Sequence, residues 1–240
     1  MPFFRCSDKL LFFVHAPKAG GSSVEDYLIR RFDDVFVYSG GGRSGVGKGT
    51  GLISPITHLC AWDLEDFLPT QMDLVFTLVR NPLSRILSEY RWQRGSSQAS
   101  RLDFSTWLNV MIKAARIDRR TYRNHIRPTS ELVPERAEIF RLEDGFDAMV
   151  DRIDEATGTT APDITVGHLK NRGKASEPIK LTRQDVALIA DFYAVDYERF
   201  GYSPPDPNDY DSDGMAFARR LAASPIAQLA LTKQRRDWLR

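Results

Sequence analysis

Residues 9–32, KLLFFVHAPKAGGSSVEDYLIRRF, decide how the rest of this chain is read. The run KLLFFVH (9–15) is continuously apolar in its middle, as a strand covered on both faces requires. APKAGGSS (16–23) follows, and its proline and paired glycines mark a turn. Val24, Tyr27, Leu28 and Phe32 then recur at helical spacing. Ser22 with Glu25 three residues on has the pattern of a capping box, which predicts a helix start there. Strand, glycine loop and helix in that order form the first half of a βαβ unit.

The pattern repeats downstream. VFVY (35–38) reads as a second short strand, and DLVFTLV (73–79) as a third, buried one. The third strand runs directly into RNPLSRILSEYRW (80–92), where Asn81 caps, Pro82 takes the first helical position, and Leu83, Ile86, Leu87 and Tyr90 form an apolar stripe. AWDLEDFLP (61–69) is a short helix closed by Pro69, and AEIFRLE (137–143) a fourth strand. Residues 104–127 read as helical and basic, 145–153 as a helix, 156–178 as a long loop, and 181–202 as one helix capped by Thr182 and Asp185. The linker SPPDPND (203–209) precedes a basic, Ala/Leu-rich tail, in which Pro225 is expected to interrupt any long helix. Strands alternating with helices predict an α/β fold of three layers, a central parallel sheet with helices on both faces. The boundaries expected are 1–202 for the domain and 203–240 for linker and tail.

Bulk properties narrow the function. A chain of 240 residues, 42% of them hydrophobic, suits one α/β domain. A net charge of +1 offers no whole-molecule attraction for nucleic acid, so none is expected as a partner. Cys6 and Cys60 make neither a CxxC pair nor a disulfide framework, and no Cys/His spacing suggests zinc; Cys60 reads as a small core residue. The apolar run LLFFV (10–14) is too short for a signal peptide or a spanning segment, so a cytoplasmic protein without a transmembrane segment is expected, its basic tail open to docking, to pairing or to peripheral contact with an anionic membrane.

Two loops compete for a phosphate. In SGGGRSGVGKGTG (39–51), Gly42 and Gly47-Lys48 match the opening of a Walker A loop. The magnesium-binding hydroxyl is missing, because Gly49 follows the lysine and Thr50 comes one place late, and no helix follows. In PKAGGSS the physical requirements are better met. Gly20 and Gly21 permit close approach of an anion, Ser22 and Ser23 open a helix whose dipole favours negative charge, and Lys18 adds a positive one. Arg80, at the end of a buried strand, supplies a second anion-binding group, with Ser88 on the helix beyond it.

Together these segments carry a resemblance. FFVHAPKAGGSSVEDYL resembles the 5′-phosphosulfate loop of the PAPS-dependent carbohydrate sulfotransferases, the group that includes the heparan sulfate 2-O- and 6-O-sulfotransferases. VFTLVRNPLSRILSEYRW is similar to the 3′-phosphate motif of the same family, strand–RxPxxRxxSxY, and NHIRPTSE and DFYAVDYERFGY look like segments of its bacterial members. The resemblance implies that PAPS (3′-phosphoadenosine 5′-phosphosulfate) is the donor and PAP the product. Lys18, Gly20, Gly21, Ser22 and Ser23 would cradle the 5′-phosphosulfate, and Arg80 and Ser88 the 3′-phosphate. Arg172, Gly173 and Lys174, in LKNRGKAS (169–176), would form a late loop near the adenine. Ala19 departs from the commoner threonine and removes one hydroxyl donor.

Sulfuryl transfer, like phosphoryl transfer, moves a charged group in line between two oxygens. Lys18 suits the charge on the leaving phosphate, and with basic side chains around that group no metal is required. A base working near neutrality is most simply histidine. Of His15, His58, His125 and His168, His58 is the favoured base, since related sulfotransferases place a histidine in the corresponding region. His125 and Arg127, in a basic cluster with Lys113, Arg116, Arg119, Arg120 and Arg123, suit an acidic acceptor such as a uronate; a solvated helix face is the other reading. Glu89 is a rival base for which a structural role is preferred. The 39–51 stretch is expected to be a flexible flap over the acceptor or sulfuryl site, with Lys48 a candidate acceptor contact. Two other functions stay open: a nucleotide-binding scaffold of the same fold, and a P-loop kinase that uses Lys48.

Overall fold

The computed structural model describes residues 1–32, 34–36, 58–67, 71–94, 102–167 and 178–238. The elements in chain order are β1 (Phe3–Cys6), β2 (Lys9–Val14), α1 (Gly21–Arg31), β3 (Asp34–Phe36), α2 (Ala61–Phe67), β4 (Leu74–Val79), α3 (Pro82–Arg94), α4 (Phe104–Ile117), β5 (Glu138–Arg141), α5 (Asp147–Thr157), α6 (Arg183–Phe192), α7 (Ala194–Arg199) and α8 (Ala216–Trp238). They divide into two compact units. The first comprises residues 1–80 and 129–173, the second residues 81–128 and 174–240.

The first unit is built on a five-stranded sheet of order β3-β1-β2-β4-β5. β2, β4 and β5 pair in parallel, whereas β1 is antiparallel to both β2 and β3. The central β2-β4-β5 part is thus parallel, as expected, and the correction is at the other edge, where β1 and β3 make the sheet mixed. β1 escaped the sequence reading because Phe3–Cys6 is four residues long and connects to β2 through a tight turn, with none of the helical crossover that signals a parallel neighbour. Register sets the packing. Leu11 and Phe13 lie beside Leu74 and Phe76 and share a core with Val24, Tyr27 and Leu28 of α1 and with Met149 and Ile153 of α5. Phe12 and Val75, paired on the opposite face, are also buried. Coverage on both faces is why β2 and β4 read as unbroken apolar runs. Each fully buried side chain of this size contributes about 1.5–3 kcal/mol.

The second unit is helical within the described residues. Asn81 caps α3 as expected, its Oδ1 accepting from the amides of Leu83 at 3.0 Å and Ser84 at 3.3 Å. Asp103 caps α4, whose Phe104, Trp107, Leu108, Met111 and Ala115 form a buried stripe. That helix stops at Ile117, ten residues before the end predicted for it. Asp118 ends it: its carboxylate accepts from the Arg120 amide at 3.0 Å, and its carbonyl accepts from the Thr121 hydroxyl at 2.5 Å. Tyr122, Arg123 and Asn124 then follow at φ 49°, 56° and 68°.

The capping box of Thr182 and Asp185 is present, but the helix predicted over 181–202 breaks into α6 and α7 at Tyr193. There ψ is 21°, and the phenol donates to the Ile126 carbonyl at 2.9 Å. The expected interruption at Pro225 does not occur, because α8 is one helix of 23 residues with Pro225 inside it. Ala223, Ala227 and Leu231 are buried in the same core as α4, so tertiary packing on both sides of the proline offsets the lost hydrogen bond. Among the described residues no helix is long and apolar enough to cross a membrane.

Candidate functional site at the end of β2 and β4

β2 ends at Val14 and releases the chain into His15–Gly20. The turn needs two left-handed residues, Lys18 at φ 63° and Gly20 at φ 86°. Lysine adopts that region at a cost, and such outliers cluster where a side chain or backbone must be aimed. Gly20 meets a steric demand as well, since a Cβ there would stand 3.0 Å from Leu142 and 3.1 Å from Leu78. Gly20 is also the residue that caps α1, accepting from the Ser23 amide at 2.9 Å. The capping box predicted from Ser22 and Glu25 is absent, because the helix begins at Gly21 and no side chain caps it. Glu25 turns elsewhere: its Oε1 lies 2.6 Å from Nδ1 of His15.

Gly21 carries a second close approach. A Cβ there would come within 2.6 Å of both Cδ2 and Nε2 of His15, so the imidazole lies directly against the first residue of α1. Of the two serines, Ser23 is buried and Ser22 half-buried.

β4 delivers Arg80 to the same loop. Its Nη1 donates to the Lys18 carbonyl at 3.4 Å, a long bond that nonetheless brings the guanidinium to the glycine turn. Thr77, fully buried one strand over from Val14, donates its hydroxyl to the Val14 carbonyl at 2.8 Å and locks the two strand ends together. His58 arrives from a third segment. It is 7% exposed, its Nδ1 lies 3.2 Å from the His15 carbonyl, and its ring meets that of His15 edge to face at 5.2 Å. The segment is anchored by Cys60, buried as expected, whose amide donates to Asp63 at the start of α2.

The first unit thus brings together Lys18, Gly20, Gly21, Ser22, Ser23, Arg80 and His58. Backbone amides at a helix start, a lysine and an arginine are suited to an anion, and an imidazole stands beside them. Sequence reasoning missed Glu25 here. The Ser-x-x-Glu spacing that suggested a capping box is identical whether the carboxylate turns back to the helix start or across to a histidine.

The other expected residues are placed differently. Ser88 lies on α3 in the second unit, half-buried. His125 and Arg127 belong to a buried polar network of that unit. Nδ1 of His125 is 2.9 Å from Oε2 of the fully buried Glu89, whose Oε1 accepts from Gln93 at 2.7 Å, and Gln93 in turn accepts from Trp107 at 2.9 Å. Arg85 donates to the carbonyls of His125 and Arg127, both at 3.0 Å, and lies over the ring of Tyr193 at 4.9 Å. The Trp92 ring stacks on His125 at 5.2 Å. Lys48, Arg172, Gly173, Lys174 and His168 lie outside the described residues, as does the whole 39–51 stretch.

Comparison with known proteins gives one finding. A model described as the sulfotransferase family matches residues 1–203. No individual curated protein and no solved structure matches the chain.

Proposed function

The chain belongs to the sulfotransferase family, and from that premise we propose that it moves the sulfuryl group of PAPS onto a hydroxyl of a carbohydrate acceptor. The observation that carries this reading is the convergence of three distant segments: Arg80 on the Lys18 carbonyl, and His58 on the His15 carbonyl, at the ends of β2 and β4. The residues fit such a donor. The Gly20 turn tolerates no Cβ without displacing Leu142 and Leu78, and the groups around it are amides, hydroxyls and two cations, the donor set an anionic phosphosulfate needs.

When bound, PAPS supplies a sulfuryl group activated by its phosphate leaving group. Gly20, Gly21, Ser22 and Ser23 hold the 5′-phosphosulfate, and Lys18 neutralises charge gathering on the bridging oxygen. Arg80 and Ser88 would take the 3′-phosphate, and Arg172, Gly173 and Lys174 would contact the nucleotide. His125, Arg127 and Lys48 serve the acceptor. With this reading go a P-loop NTPase-like three-layer class for the fold, a sulfotransferase domain over residues 1–202, and a linker and basic tail over 203–240.

His58 acts as the base. A carbonyl oxygen only accepts, so the contact with His15 requires the proton on Nδ1 of His58. The lone pair of the neutral ring is then on Nε2, ready to take the acceptor's proton. His58 would take that proton on Nε2 and Lys18 would face the leaving phosphate, while PAPS would supply the sulfuryl group that replaces the proton on the acceptor oxygen.

The test is transfer of labelled sulfate from PAPS to a panel of uronate-containing glycans, neutral sugars and small alcohols, with calorimetry of PAP in the presence of a chelator. Binding of PAP without magnesium and labelling of a glycan are expected. Labelling of small alcohols alone overturns the carbohydrate acceptor. Magnesium-dependent binding of ATP, lost in Lys48→Ala, overturns the reading as a whole.

A further inference from the structure

Two features of the first unit have no place in the anion-binding loop itself. One is the carboxylate of Glu25, 2.6 Å from the imidazole of His15, with both side chains about 15% exposed (15% and 16%). The other is the position of that imidazole. It is wedged between Gly21, whose Cβ would come within 2.6 Å of it, and the ring of His58 at 5.2 Å. Residue 15 therefore touches both halves of the chemistry. Its side chain supports the first residue of the donor-binding helix, and its carbonyl accepts from the base.

We propose that Glu25 and His15 are a positioning pair for the base: Glu25 fixes the His15 ring through Nδ1, and the fixed ring holds His58 in the tautomer whose lone pair is on Nε2. The inference rests on the reading of His58 as the base. The chain of bonds runs one way. A carboxylate accepts, so His15 carries its proton on Nδ1. Its ring then has a single orientation, packed edge to face on His58. The backbone of residue 15, tied to that ring, presents its carbonyl to Nδ1 of His58. Carboxylates that orient a histidine through its far nitrogen are how imidazole bases are generally kept in one tautomer. Here the orienting group acts one residue removed. Glu25 sits one helical turn after Gly21, so α1 itself sets the distance between the carboxylate and the ring.

Close packing gives the pair a second consequence. Gly21 is the only residue type that leaves room for the His15 ring, so Gly21→Ala must push the imidazole away from Glu25, from His58, or from both. Removing the ring relieves that clash, and the double variant Gly21→Ala/His15→Ala is therefore expected to bind PAP better than Gly21→Ala alone.

The first readout needs no acceptor. In the full chain labelled with ¹⁵N-histidine, nitrogen chemical shifts report which ring nitrogen of His58 carries hydrogen. The expected result is an Nδ1–H tautomer in the wild type, a mixture of tautomers in Glu25→Ala, and a return to Nδ1–H in Glu25→Gln, whose amide oxygen still accepts from His15. Alongside this, kcat for sulfuryl transfer falls about tenfold or more in Glu25→Ala while the Kd of PAP changes less than about threefold, and Glu25→Gln recovers most of the loss. If Glu25→Ala does not fold, Glu25→Met keeps the volume, removes the acceptor and takes its place. A His58 that keeps a pure Nδ1–H tautomer in the folded variant overturns the proposal, as does an unchanged kcat. Undiminished turnover in His58→Gln overturns instead the assignment of the base. The tautomer readout is unaffected by that outcome, so the two failures are told apart.

Discussion

The two units use the same kinds of side chain for opposite ends. In the first, charged and polar residues gather at the ends of β2 and β4, where Lys18 and Arg80 are half-buried and the backbone is held in a left-handed turn. In the second they turn inward. Arg85 is 1% exposed and Glu89 fully buried, and together they tie α3 to the irregular segment after α4. The RxPxxRxxSxY pattern runs across both. Its first arginine, Arg80, goes to the glycine loop, whereas its second, Arg85, becomes part of a core, and its tyrosine, Tyr90, donates to the Leu102 carbonyl at 2.8 Å. One sequence motif therefore reaches two surroundings, the glycine loop and a helical core. Residue type does not separate the two roles; what each guanidinium reaches does.

The largest effect expected from breaking this contrast is in the second unit. Arg85→Ala leaves the carbonyls of His125 and Arg127 without their buried donor, and should cost about 3–5 kcal/mol, measured by urea unfolding followed by circular dichroism. Arg85→Lys should recover little, because a single ammonium does not reproduce the fork. Wild-type stability in either variant would remove the distinction between a building arginine and a binding one. In the first unit the effect falls on turnover. His58→Gln is expected to lower kcat by about 10²–10⁴ while leaving PAP affinity and the unfolding midpoint near wild type.

Arg80→Ala should weaken PAP binding by about ten- to a hundredfold, the loss of a charge-assisted hydrogen bond, with little change in stability. A stability loss as large as that of Arg85→Ala would show that both arginines build. A smaller effect concerns pH. Burial raises the phenol of Tyr193 and pushes that of Tyr197 up to about 12. In the unfolded chain tyrosine ionises at about pH 10. Both groups therefore bind their protons more tightly when folded. Their contribution to stability is complete below about pH 10 and is lost as pH rises through the folded values. Phenolate absorbance from these two residues should appear only with unfolding, and Tyr197→Phe should make the alkaline loss shallower. The smallest change is Thr182→Ala, which removes the α6 cap at a cost of about 1 kcal/mol.

Much of the first unit was legible because its signals are local. The apolar run of β2, the glycine turn and the spacing of Val24, Tyr27 and Leu28 each report on neighbours a few residues away. So do the caps at Asn81 and Thr182. What was not legible depended on partners far along the chain. β1 is a strand because β2 and β3 flank it, and its antiparallel direction follows from a short turn that no periodicity marks. The end of α4 at Asp118, the break at Tyr193 and the continuity of α8 through Pro225 were each decided by a particular bond or packing contact. Glu25 was misread as a cap because its true partner, His15, precedes it by ten residues across the turn.

The sequence by itself determined that this chain alternates strands with helices and carries a phosphate-suited loop between the first such pair, since hydrophobic period, turn chemistry and capping act over one or two turns of chain. Only the tertiary structure decided which charges face that loop and which support a core. His15 and His58 meet, and Arg80 reaches the Lys18 carbonyl, at strand ends that Thr77 and the sheet register bring together, whereas Arg85 and Glu89 are interior because α3 packs them there. The physical reason is that burial and hydrogen-bond partnership belong to the folded surroundings of a side chain, and no residue carries them in its own chemistry.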